Sequence, residues 1–121
     1  MLLDGKEVHI KGLSWFGFEG DNAVADGLWQ HSVDSYLDFL VANHFNALRL
    51  PLALNNVLNN PVPSRSMVSA EPRFVGEDSL WLLEMIVMRA ARKGILVLLD
   101  MHRLNSSLWP DPQGLWYNDH V

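Results

Sequence analysis

The chain has 121 residues, no cysteine and a formal charge of −5, and 49% of its residues are apolar. That composition suits one globular domain with a core and excludes a disordered chain, a disulfide framework and a thiolate metal site. Its nine lysines and arginines are scattered, so no basic stripe points to nucleic acid, no apolar run reaches the roughly 18 residues of a membrane span, and Met1-Leu2-Leu3-Asp4-Gly5-Lys6-Glu7 lacks the basic and apolar regions of a signal peptide.

Leu2-Leu3 and Glu7-Val8-His9-Ile10 flank Asp4-Gly5, a pair suited to a tight hairpin turn because glycine accepts positive φ. The first core strand is expected through His9-Ile10-Lys11-Gly12-Leu13-Ser14, giving way near Trp15-Phe16-Gly17 to a loop rich in glycine and acids. Ser32 then caps a helix whose apolar stripe is Val33, Tyr36, Leu37, Leu40 and Val41, with Asp34 placed to favour the helix dipole. A second strand, Phe45-Asn46-Ala47-Leu48-Arg49-Leu50-Pro51, carries an arginine near its end and is stopped by proline. The polar stretch from Asn55 to Gly76, punctuated by Pro61, Pro63 and Pro72, is too long for an ordinary connection and reads as a functional or variable loop. A second helix starts after Asp78 or Ser79 and stops at Gly94, burying Leu80, Leu83, Val87 and Ala90 or Ala91.

The most informative run follows. Ile95-Leu96-Val97-Leu98-Leu99 delivers Asp100, Met101, His102 and Arg103 to its carboxyl end. A strand this apolar is expected to be buried on both faces, as in parallel sheets covered by helices, where functional side chains collect at the carboxyl ends. Arg49 and His102 are therefore aimed at one rim, with Asp100 orienting a neighbour. The tail from Leu104 to Val121, with Trp109, Trp116 and Tyr117, shows no period and reads as another rim loop.

Two architectures accept this order, a doubly wound sheet and a (β/α)8 barrel. Gly12, Gly17 and Gly20 have neither dinucleotide spacing nor a phosphate-loop lysine, which favours the barrel. Arginine beside a carboxylate favours its ionised form and holds its orientation, although an ordinary strand-end salt bridge would look the same. Histidine can bond a sugar hydroxyl or exchange a proton near neutral pH. Trp15, Trp29, Trp109, Trp116 and Tyr117 offer faces that could cover pyranose rings or simply pack. Trp81 and the methionines Met85, Met88 and Met101 read as core, and Glu19 as a structural or solvated carboxylate. No histidine pair has zinc-motif spacing, so neither metal nor cofactor is expected. Asn105-Ser106-Ser107 is formally a glycosylation acceptor.

Five segments, in order, resemble glycoside hydrolase family 5, the cellulase family: Gly12-Leu13-Ser14-Trp15-Phe16-Gly17-Phe18-Glu19, Gly27-Leu28-Trp29, the Arg49 strand, Asp100-Met101-His102-Arg103 and Leu115-Trp116-Tyr117. The family usually has asparagine where this chain has Ser14 and often histidine where it has Asp26. The resemblance implies a (β/α)8 barrel that cleaves β-linked glucan with retention. It assigns Arg49 to support the nucleophile and His102 to line the sugar site; Trp29, Trp116 and Tyr117 are the candidate substrate-binding aromatics by their ring chemistry. It also implies that residues 1–121 are the amino-terminal part of one catalytic barrel, roughly its first three strand-helix units. Retention needs two carboxyl groups about 5 Å apart. In this family both are glutamates on the fourth and seventh strands, and no Asn-Glu pair occurs here. The expectation is a hydrolase piece that is inactive alone, with β-glucan and the rest of the barrel as its partners. Related hydrolases commonly act outside the cell, which favours an extracellular location. The rival readings are a non-catalytic carbohydrate-binding fragment or pseudoenzyme, and a small α/β module with an unrelated partner.

Overall fold

A computed structural model describes residues 2–108. It opens with the expected hairpin, β1 (Leu2–Leu3) antiparallel to β2 (Lys6–Glu7), and Asp4 and Gly5 take φ of 51° and 76° in its turn. Three strands, β3 (Gly12–Ser14), β4 (Ala47–Ala53) and β5 (Leu96–Arg103), then form a parallel sheet in the order β3-β4-β5. β3 is shorter than the sequence suggests because the Asn46 side chain takes over its first pairings. Asn46 Oδ1 accepts from Lys11 N and Asn46 Nδ2 donates to His9 O, each at 2.8 Å.

Helix α1 (Val33–Ala42) begins where Ser32 Oγ accepts from Ser35 N at 3.1 Å, the expected cap. It buries Val33, Leu37 and Leu40, whereas Val41 is exposed and Tyr36 half-buried. The two lie on opposite sides of the stripe, and Tyr36, on the side toward β3, packs its ring on Trp15. Helix α3 (Ser79–Arg92) is capped by Asp78, whose Oδ1 accepts from Trp81 N, and the turn after it places Gly94 at φ 76°. Its buried row is Leu82, Leu83, Ile86 and Ala90: the expected Leu83 and Ala90 are buried, whereas Leu80 is exposed and Val87 half-buried. Nearly every residue from Leu80 to Met88 is apolar, so the pattern left the facing side open, and the sheet selected it.

The stretch from Asn55 to Gly76 is built rather than loose. It holds α2 (Leu54–Asn59) and two 3₁₀ turns, Arg65–Val68 and Pro72–Phe74, that bury Val68 and Phe74 in the core. Glu71 anchors it. Its Oε1 accepts from Val33 N at 2.7 Å, satisfying a free donor at the start of α1, and from Arg89 Nη1 at 2.9 Å. The Arg89 guanidinium lies 5.1 Å over the Phe74 ring.

Alternation sorts the sheet faces. Leu48, Leu50 and Leu52 of β4 enter one core cluster with α1 and α3, so both helices cover one face. Arg49 and Pro51 point the other way. Proline in a central strand usually removes a ladder bond. Here Trp15 N donates to Arg49 O, so the Arg49 peptide groups face β3; those of Pro51 face the same way, beyond Ser14 where β3 has ended. The proline thus coincides with the end of the β3–β4 ladder and leaves the β4–β5 pairing, which runs on through Pro51↔Asp100, intact.

Candidate active site

The uncovered face carries polar groups at its carboxyl end. Ser14, Arg49 and Leu98 are aligned across the three strands, and Pro51 aligns with Asp100. From Ala47↔Leu96 to Leu52↔Met101 the β4–β5 register is one to one. Ala53 then pairs with Arg103, which makes His102 the extra residue of a bulge.

These positions converge on Arg49. Its Nη1 donates to Ser14 Oγ at 3.2 Å and its Nη2 to Asp100 Oδ2 at 2.5 Å, while His102 Nδ1 lies 3.1 Å from both Arg49 Nη2 and Asp100 Oδ2. The side chains of Arg49, Asp100 and His102 are about one-third exposed, at 35%, 28% and 29%. Arg49 also lines a shallow hollow of about 230 Å³ with Gly12, Ser14, Ala47 and Leu98. Gly12 keeps that floor low, since a Cβ there would sit 3.0 Å from Ala47 Cβ.

The arrangement has definite chemical capacities. A guanidinium has five N–H donors, and the contacts of Arg49 to Ser14, Asp100 and His102 leave others to hold a further carboxylate. If His102 Nδ1 donates to Asp100, Nε2 is an acceptor; if it accepts from Arg49, Nε2 carries the proton. A sugar hydroxyl, both donor and acceptor, pairs with either tautomer. Asp100 therefore sits between the two residues singled out from the sequence and orients both. Ser14 was not foreseen as a partner of Arg49; only its place at a strand end could have pointed to it.

The loop after β3 places the other expected residues. Trp29 is exposed on it, at 42%. Trp15 is half-buried and spends its indole N–H on Asp26 O at 2.7 Å. Glu19 is buried and its Oε2 accepts from Gly17 N at 2.8 Å, a brace rather than a free acid. Partial desolvation, and then the nearby Glu19 charge, hold the Asp26 carboxyl above its ordinary range. Trp109, Trp116 and Tyr117 lie outside the described residues.

Parallel strands backed by helices on one face, with arginine, aspartate and histidine gathered at their carboxyl ends, are the architecture of (β/α)8 enzymes. The chain belongs to the cellulase family, glycosyl hydrolase family 5, whose match spans residues 2–120. It is 31% identical to the endoglucanase of Paenibacillus polymyxa, over 95% of this chain and 31% of that protein. It is 33% identical to the major extracellular endoglucanase of Xanthomonas campestris pv. campestris, over 93% of this chain and 23% of that protein. Among solved structures, the endocellulase of Pyrococcus horikoshii in complex with cellotetraose matches with a TM-score of 0.80 at 37% identity, over 93% of this chain and 29% of that one. The catalytic domain of the Xanthomonas enzyme matches with a TM-score of 0.83 at 30% identity, over 96% and 33%. The chain thus spans about a third or less of the length of these relatives.

Proposed function

We propose that these residues form part of a secreted retaining endo-β-glucanase, in which Arg49 and His102 support the reaction without performing its covalent steps. The observation that carries this reading is the Arg49, Asp100 and His102 cluster at the carboxyl ends of β4 and β5, in a chain of the cellulase family. Arg49 keeps donors to hold an incoming carboxylate nucleophile ionised and aligned. His102 bonds a hydroxyl of the sugar at the cleavage point. Trp29, together with Trp116 and Tyr117, covers pyranose faces.

Retaining displacement needs a proton donor and a nucleophile about 5 Å apart. Within the described residues Asp100 is committed to Arg49, and Glu19, of the loop after β3, to the Gly17 N–H. We assign the catalytic pair to the portion of the relatives' length that this chain does not span. The Xanthomonas relative is named as extracellular, which supports placing this protein outside the cell.

The test is turnover of soluble β-glucan by the full-length protein. Arg49→Ala is expected to reduce it about 100-fold or more with the circular dichroism spectrum unchanged, and the isolated 121-residue chain to release no reducing sugar. Wild-type turnover by the variant would remove Arg49 from the mechanism. Hydrolysis by the isolated chain, abolished by Asp100→Asn, would reassign the carboxylates.

A further inference from the structure

We infer that Asn55 is a positioning residue that acts through His102, by clamping the ends of β4 and β5 just past the bulge. The bulge is what turns His102 onto Arg49 and Asp100. One-to-one pairing ends at Leu52↔Met101, and only the extra residue between Met101 and Arg103 lets the ladder resume at Ala53. A bulge is a local defect in pairing, and a one-residue slip would erase it. Something beyond it has to hold the register.

Asn55 supplies that hold with its whole amide. Its backbone N donates to Leu104 O at 3.1 Å, its Oδ1 accepts from Ser106 N at 3.0 Å, and its Nδ2 donates to Ser106 Oγ at 3.0 Å. Ser106 is buried, so these bonds face little competition from water. The neighbouring Asn56, also buried, donates Nδ2 to Phe18 O and Gly20 O at 2.8 Å each, which ties the clamp to the loop after β3. Ser107 Oγ returns to that loop at Asp21 Oδ1, 2.7 Å away. The three rim loops are thereby closed into one ring of hydrogen bonds. None of the bonds of this ring is made to Arg49, Asp100 or His102, and the effect of Asn55 reaches them through the bulge.

The turnover part of this inference rests on the proposed endoglucanase reading, whereas its structural part does not. The experiment uses the full-length protein with ¹⁵N-labelled histidine, comparing Asn55→Ala, Asn55→Asp and Ser106→Ala. Asn55→Ala is expected to move and broaden the His102 ring nitrogen signals, leave those of His9, His31 and His44 in place, and lower kcat on β-glucan about 10- to 100-fold with a smaller change in KM. Asn55→Asp is expected to restore both readouts, because a carboxylate still accepts from Ser106 N and the Ser106 hydroxyl can turn to donate to it. Ser106→Ala, which loses one bond, is expected to shift His102 in the same direction by less, and it decides the matter should Asn55→Ala not fold. His102 signals that stay at their wild-type positions in the folded alanine variants, or an aspartate variant as displaced as alanine, would overturn the inference. A wild-type protein without hydrolysis would sink the endoglucanase reading alone, since the ring signals would still test the clamp.

Discussion

Two arginine–carboxylate pairs in this molecule use the same functional groups to different ends. Arg89 and Glu71 are each 9% exposed, joined at 2.9 Å and 3.2 Å, and completed by the Val33 N–H and the Phe74 ring. Arg49 and Asp100 are joined at 2.5 Å but remain about one-third exposed, beside a histidine on the face that α1 and α3 leave open. A sealed pair locks the α1 and α3 wall together. An open pair is accessible to a ligand. The lesson is that residue type says little about the role of an ion pair, whereas burial says much.

The largest expected effect separates the two pairs by stability. Arg89→Ala leaves Glu71 buried without its countercharge, and urea unfolding of the full-length protein should show a loss of about 3–5 kcal/mol. Arg49→Ala, with water able to reach Asp100, should cost no more than about 1 kcal/mol while abolishing most turnover. Equal losses in the two variants would erase the distinction. Next comes the rim loop that frames the open pair. Gly17 sits at φ 136°, and a Cβ there would lie 2.1 Å from Val24 O, a backbone atom that cannot swing away. Gly17→Ala should destabilise by about 2 kcal/mol or more. An unchanged melting temperature would show that the loop adapts more freely than the wall.

A third effect concerns uncovered surface. Leu96, Leu98 and Leu99 of β5 are exposed, as are Phe39 and Val41 of α1, so the 121-residue chain on its own should self-associate in sedimentation experiments. A monodisperse monomer with protected amides throughout would count against the partial-barrel reading. The smallest effect is at Asp26. Its folded-state pKa is raised above 3.8 by desolvation and by Glu19, so the folded state holds that proton more tightly than the unfolded chain does. Its ionisation therefore removes stability as pH rises above that value. Asp26→Asn should stabilise the protein slightly at pH 7, with the gain vanishing below pH 3.8. A gain that grew toward acid would reverse the assignment.

Much of the scaffold was legible because its signals are local. Ser32, Asp78 and Gly94 mark helix ends through single hydrogen bonds or one backbone angle, and the structure uses each as the sequence suggests. Arg49 and His102 were legible as strand-end residues, and they do meet. The stretch from Asn55 to Gly76 was not. A six-residue helix has too few internal bonds to leave a periodic trace, and α2 exists because its side chains reach across to Phe18, Gly20 and Ser106. The pairing of Glu71 with Arg89, 18 positions apart, leaves no trace in spacing either.

What the sequence determined by itself was a set of strands and helices, the end of the sheet at which chemistry collects, and the family, since each depends on residues close together in the chain or on their order along it. Which face α3 buries, which arginine is sealed and which is open, and how His102 is turned out of register onto Asp100 were decided only by tertiary structure. The physical reason is common to all three. Burial and hydrogen-bond completion are properties of what lies across the gap, and those partners come from strands and loops distant in sequence.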